Sequence, residues 1–287
     1  MHDIFYFTDI HGMYDLYRAM MDYCITQDPE CMIIYGGDAC DRGRNGYKIM
    51  QELLDDSHVL YLKGNHEDLF VQAARAIIKD YKGQFEEDQI WDYLFNIETS
   101  QYGDKEIQLC LYNGGYWTLH DWMMDGMPSS FIARINALPI TFSYENIDFC
   151  HAGCHHKIFD RVAAAEYNQM AADADDIKFL IWDRNYLGNG WKAGRICVYG
   201  HTPTSYLAAK YYRQDKSLAN AHPCSYIGML DDKNTGKKID MDTGACASGR
   251  AYVLNCLTMK AQGFRDIDIN KEEIHKHVIE KIDCIQM

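Results

Sequence analysis

What this 287-residue chain lacks narrows it first. No stretch approaches the roughly 18 consecutive apolar residues that a membrane-spanning helix needs. The start, MHDIFYFTDIHG, has no basic leader and breaks its apolar run with Asp and His, so no secretory signal is expected either. Positive charge is scarce: 28 Lys and Arg face 42 Asp and Glu, and the formal net charge of −14 repels nucleic-acid backbones and anionic membranes alike. A nucleic-acid or membrane partner is therefore disfavoured. The eleven cysteines are an odd number with no Cys-x-x-Cys among them, which fits reduced thiols in a cytoplasm better than a disulfide framework. The local cluster Cys150, His151, Cys154, His155 and His156 lacks a second pair at finger-like spacing, so a structural zinc there is not expected. Internal repeats, low-complexity tracts and linker-like stretches are missing too. What remains, 47% hydrophobic and 24% charged residues, is an ordinary globular composition, read as a single domain over residues 1–287.

The first third alternates short β-rich runs, IFYFTD, CMIIYGGD and HVLYLKGNH, with the helical patterns YDLYRAMMDYCI and GYKIMQELLDD. A β-α-β-α-β order implies a parallel sheet with right-handed crossovers. From about Leu69 to Leu138 the chain turns helical and rich in aromatics, including Trp91, Trp117 and Trp122, broken at Gly114 and Gly115; this reads as a helical cap whose core the tryptophans form. Short strands then return: ITFSYENIDFCHAG, RICVYGHTP, a hairpin over Tyr226 to Ala245 turning at Asn234 to Gly236, and RAYVLNCLTM. The last segment, NKEEIHKHVIEKI, reads as a short amphipathic helix capped by Asn270.

Five polar clusters follow predicted strands: Asp9-Ile-His11-Gly12, Gly37-Asp38-Ala-Cys-Asp41-Arg42-Gly43, Gly64-Asn65-His66-Glu67, His151-Ala-Gly153 and Gly200-His201-Thr202-Pro203. Ligands bind outside the carboxyl ends of strands in open α/β sheets, so all five can meet in one crevice. Asp, His and Asn are hard-to-borderline ligands for Mn, Fe or Zn, and no thiolate motif competes among these clusters. A pair of ions needs a carboxylate that bridges them. Asp38 is the candidate bridge, with Asp9 and His11 serving one ion and Asn65, His151 and His201 the other. Each cluster alone is unremarkable as a motif. Five of them at strand ends, in one chain, are difficult to assign to chance.

These residues resemble the pattern DxHG, GDxxDRG, GNHE, HAG and GHT of the calcineurin-like metallophosphoesterases, in particular the phosphoprotein phosphatase branch. Leu180-Ile-Trp-Asp-Arg184, Ile239 to Ala245 and Asn113-Gly114-Gly115 are similar to segments of bacterial and bacteriophage serine/threonine phosphatases, so the likeness runs nearly the length of the chain. Thr8 departs from it, standing where the family usually has Gly. The resemblance implies a four-layer α-β-β-α sandwich and two divalent metal ions, manganese first, with iron or zinc tolerated. It also implies in-line attack on a phosphomonoester by a metal-bridging hydroxide. His66 is then the general acid, Asp41 orients it, and Arg42 and Arg184 clamp the phosphoryl oxygens. The implied substrate is a phosphorylated protein or a small phosphoester. A symmetrical dinucleoside polyphosphatase shares the metal core, but relatives of that type lack the second Asp of GDxxDRG and read GNHD, whereas this chain has Asp41 and Glu67. A catalytically dead scaffold would show a gap in the ligand set, and none is visible. His155, His156 and His222 read as solvated or substrate-lining, and Cys40 as a small packed thiol. Specificity is expected from the cap and from the loops Asn185 to Gly194 and Tyr211 to Ser225.

Overall fold

The computed structural model describes residues 2–80, 86–207, 221–223, 227–232, 236–271 and 274–287. Strands β1 (Ile4–Phe7), β2 (Met32–Tyr35) and β3 (Val59–Tyr61) alternate with helices α1 (Tyr14–Gln27) and α2 (Gly46–Asp55), and the three strands pair in parallel as the β-α-β-α-β order requires. Five helices follow: α3 (Asn65–Asp80), α4 (Glu87–Thr99), α5 (Lys105–Tyr112), α6 (Tyr116–Met124) and α7 (Ser129–Asn136). The chain then forms β4 (Thr141–Tyr144), β5 (Ile147–Ala152), α8 (His156–Tyr167), α9 (Ala174–Trp182), β6 (Ile196–Gly200) and α10 (Thr204–Leu207). It closes with β7 (Ala221–Pro223), β8 (Gly228–Asp232), β9 (Gly236–Asp240), α11 (Ala245–Ser248), β10 (Arg250–Asn255), β11 (Lys260–Lys271) and β12 (Ile274–Gln286).

Two sheets result, ordered β12-β11-β10-β1-β2-β3 and β4-β5-β6-β9-β8-β7. Successive side chains on a strand point to opposite faces, which explains why β1 is apolar throughout. Its Ile4 and Tyr6 meet Ile147, Phe149, Val198 and Ile239 between the sheets, while Phe5 and Phe7 pack outward with Leu16, Met20, Ile49 and Met50 of α1 and α2. On the far side, Cys150, Cys197 and Tyr199 are covered by Phe159 and Val162 of α8 and Leu180 and Ile181 of α9. The layers therefore run α-β-β-α, as the resemblance implied. No described helix is long and apolar enough to cross a membrane.

The hairpin forms as β8 and β9, antiparallel from Gly228↔Asp240 to Asp232↔Gly236, while Asn234 and Thr235 of its turn lie outside the described residues. So do residues 211–220 and Cys224 and Ser225 of the second specificity loop, and so does the side chain of His222. Trp122 is fully buried edge-on to Phe70, whereas Trp91 and Trp117 are half-buried, 4.8 Å apart, with the Arg44 guanidinium 4.2 Å above Trp117.

The expected C-terminal helix is instead a strand. Asn270 sits within β11 opposite His275, and β12 pairs with β11 along its length. The misleading signal was Ile274, Val278 and Ile282: a spacing of four lies on one face of a helix and equally on one face of a strand. Backbone pairing decides between them. A bulge at Gln262/Gly263 then flips the facing, so that Ile279 joins the outer core and Ile285 the core between the sheets.

Candidate active site

The five clusters lie at the carboxyl ends of β1, β2, β3, β5 and β6, with His151 near the end of strand β5 itself and Asn65 to Glu67 in the first turn of α3, and the sandwich brings these ends together at one edge. The backbone there is unusual. Asp9, His11, Asp38, Asp41, Arg42 and His201 have φ between 47° and 68°, a left-handed conformation costing non-glycine residues on the order of 1–3 kcal/mol each. Interlocking backbone bonds hold it: Asp9 N–H to Gly37 O at 3.1 Å, His11 N–H to Asp38 O at 3.1 Å and Gly43 N–H to His11 O at 2.9 Å. Gly37, at φ 100°, has no room for a side chain; a Cβ would lie 2.7 Å from Gly64 N and 2.8 Å from His151 Nδ1.

Three imidazoles are oriented by backbone carbonyls, which fixes the nitrogen each turns inward. His11 Nδ1 donates to Cys40 O at 2.8 Å, His151 Nδ1 to Gly36 O at 2.8 Å and His201 Nε2 to Trp182 O at 3.2 Å. The opposite nitrogens converge on Asp38, with His11 Nε2 3.7 Å from Oδ2 and His151 Nε2 3.3 Å from Oδ1. The Asn65 amide lies 2.8 Å from His201 Nδ1 and 3.1 Å from His151 Nε2. Ligand atoms of Asp38, His151 and His201 all fall within 4.8 Å of one another, and so do those of His11, Asp38 and His66. Asp38 belongs to both groups. Asp9 is buried on the same floor, its carboxylate accepting from Thr8 Oγ1 at 2.7 Å and from His201 N–H at 3.1 Å. Imidazole, carboxylate and carboxamide donors without a thiolate suit divalent Mn, Fe or Zn.

Burial opposes charge throughout the site, and the neighbours decide the outcome. Burial and the adjacent imidazoles, His66 for His11 and His151 for His201, hold those two histidines well below the usual range, which keeps them neutral at pH 7, the form that can bind a metal. For Asp38 burial is outweighed by His151 and His66, and its carboxyl stays well below the ordinary value. His151 is raised to about 10, burial losing to the Asp38 carboxylate, while burial, opposed by His151, carries Asp9 up to about 6. A cation bound by His151 must replace a proton the ring holds at pH 7, so metal binding releases protons and tightens as pH rises. Calorimetric titration with Mn²⁺ at pH 7 in buffers of different ionisation enthalpy is expected to show at least about one proton released per chain; no release would contradict this pairing.

Beside these donors stands His66. Its Nδ1 is 2.7 Å from Asp41 Oδ2, and Arg42 Nη2 lies 3.0 Å from its Nε2. Burial lowers this imidazole, but Asp38 and Asp41 outweigh burial and leave it raised, which favours its protonated form. Arg42 and Arg184 are exposed at the mouth, Arg184 Nη2 reaching His201 O at 3.4 Å. Cys40 is a buried thiol pushed well up by burial and by Asp41, a packed group and not a reactive one.

Several supporting residues had no role assigned from sequence. Glu67, fully buried, accepts from Asp38 N–H, Ala39 N–H and Gly64 N–H at 2.8 Å each and from Tyr61 O–H at 2.7 Å, tying the Asp38 loop to the start of α3. Its place in Gly64-Asn65-His66-Glu67 was the available signal. Asp240 and Asp242 are buried close by, both held well above the usual carboxyl range, by burial first and then by Asp242 and Asp9 respectively. Lys238 is fully buried and donates to Gly153 O, Cys154 O and Tyr186 O at 3.3, 3.1 and 2.9 Å, stapling the loop after His151. Lys238→Met leaves three carbonyls without this donor and is expected to destabilise the fold by about 3 kcal/mol; unchanged denaturant unfolding would contradict the staple.

The calcineurin-like phosphoesterase family model matches residues 2–222. No curated protein matches the chain. Among solved structures it is similar to one described as a "putative diadenosine tetraphosphatase", with 11% identity and a TM-score of 0.49, covering 98% of this chain and 93% of that one. A cold-active protein-tyrosine phosphatase of a psychrophile Shewanella species is 15% identical with a TM-score of 0.47, covering 92% of this chain and 77% of that one. A protein serine/threonine phosphatase from Saccharomyces cerevisiae is 13% identical with a TM-score of 0.45, covering 100% and 81%.

Proposed function

Because the chain belongs to the calcineurin-like phosphoesterase family, we propose that it is a two-metal phosphomonoester hydrolase acting on phosphoserine or phosphothreonine in proteins. The observation that carries this reading is the Asp41–His66 pair at 2.7 Å, set beside a floor of converging metal donors. Asp9, His11 and Asp38 would hold one divalent ion, and Asp38, Asn65, His151 and His201 the other. Such ions, when bound, supply Lewis-acid charge for the phosphoryl oxygens and lower the pKa of coordinated water.

The chain's own residues supply the rest. Arg42 and Arg184 grip the non-bridging oxygens, where planar guanidinium groups make two-pronged contacts. With Arg42 turned from His66 Nε2 to the phosphoryl oxygens, His66 delivers a proton from that nitrogen to the departing alkoxide, a poor leaving group that an aliphatic phosphoester requires to be protonated, and Asp41 fixes the ring and stabilises its charge. On this reading residues 1–287 act as one catalytic domain, with the helices of about Leu69 to Leu138 as a cap over its crevice.

Steady-state assays of the Mn²⁺-loaded protein on a phosphoserine peptide, a diadenosine polyphosphate and a cyclic nucleotide separate the candidates. The highest kcat/KM is expected on the peptide. Preference for the diadenosine compound would replace this reading with dinucleoside polyphosphate hydrolysis.

A further inference from the structure

The loop carrying Asp41 and Arg42 is held from outside the metal floor. Both residues are left-handed, at φ 67° and 62°, and in each the backbone N–H is captured at the start of α6, by Gly114 just before the helix and by Thr118 in its first turn. Arg42 N–H donates to Gly114 O at 2.9 Å, and Asp41 N–H donates to Thr118 Oγ1 at 3.0 Å. Thr118 and Asp41 are both completely buried, so no water can replace that acceptor. The approach is close: a Cβ on Gly114 would lie 2.9 Å from Arg42 N, and one on Gly46 would lie 3.0 Å from Thr118 Oγ1. The helical layer thus grips two consecutive residues in a conformation they would not adopt unaided.

One of the two continues directly to His66. Asp41 Oδ2 meets His66 Nδ1 at 2.7 Å, so the direction of the carboxylate, and with it the aim of the imidazole, depends on the peptide that Thr118 holds. We propose that Thr118 is a positioning residue for the reaction, its hydroxyl locking Asp41 so that His66 is aimed at the leaving group. This rests on the reading of His66 as the proton donor. It joins helix α6 to the chemistry through a side chain 77 residues from Asp41.

The test is a double-mutant cycle with a structural readout. T118V keeps the shape and removes the acceptor; T118A removes the same acceptor without the branch, should T118V not fold; T118S restores it. Each is made in wild-type and H66N backgrounds and assayed, Mn²⁺-loaded, on 4-nitrophenyl phosphate and a phosphoserine peptide. T118V and T118A are expected to lower kcat about 10–100-fold, the range lost when a supporting hydrogen-bond partner is removed, with KM and metal content unchanged. T118S is expected to stay within about threefold, and T118V in the H66N background to cost less than about twofold, because residues acting as a unit are not additive. The downfield proton resonance of the His66 ring is expected to shift in T118V and to return in T118S. Equal losses in both backgrounds, or wild-type kcat in T118V and T118A, would overturn the role of Thr118. An active wild type that loses nothing on H66N would instead overturn the proton-donor reading, and the Thr118 inference with it.

Discussion

Asp38→Asn is expected to lose bound metal and to lower turnover by at least about 10³-fold, since several kcal/mol of metal-derived stabilisation disappear at 1.36 kcal/mol per decade. The geometry explains the size of the effect. Oδ1 of Asp38 is 3.3 Å from His151 Nε2, while Oδ2 is 3.7 Å from His11 Nε2 and 3.8 Å from His66 Nε2. The two oxygens face two different groups of donors, so one carboxylate serves both. An asparagine keeps one oxygen and turns toward the other group an NH2, which has no lone pair to offer a cation. It also removes the charge that offsets burial for His151 and His66. Elemental analysis beside an aryl phosphate assay checks both halves of the expectation. Full metal content with wild-type turnover would contradict it.

His66→Asn separates binding from chemistry. The ring's Nδ1 is occupied by Asp41, and on the proposed ligand set the imidazoles that hold metal are His11, His151 and His201, so metal content is expected to stay at the wild-type level. Turnover is expected to fall about 10²–10⁴-fold, the range of general acid catalysis, with KM little changed. The pH profile gives a second check. His66 is raised and acts in its protonated form, so the wild-type rate holds below its pKa and falls as pH rises through it. H66N should lack that basic limb. Loss of metal from H66N would place His66 among the ligands, as its proximity to His11 and Asp38 allows.

The clusters were legible because each motif stands where a strand ends, and β-α-β-α-β order forces those ends together. Asp9, His11, Asp38, Asn65, His66, His151 and His201 are all buried within one site, as their order along the chain suggested. Other features lay beyond pattern. Ile274, Val278 and Ile282 satisfy two periodicities at once, and only pairing with β11 selects the strand. Lys238 follows Lys237 in β9 and looks like half of a solvated pair, yet strand alternation turns it inward onto three carbonyls. Thr118 acts through a side-chain bond to a distant peptide, a relation with no fixed spacing. Glu67 was visible as a letter in a motif, but its function of gathering three N–H groups exists only in three dimensions.

The central claim is that two cations share Asp38. Its most direct test is an anomalous difference map at the manganese absorption edge from crystals grown with Mn²⁺. Two peaks per chain, about 3.5–4 Å apart, are expected on either side of the Asp38 carboxylate, one toward His11 and one toward His151 and His201. A single peak, or none within reach of Asp38, would contradict the two-metal centre.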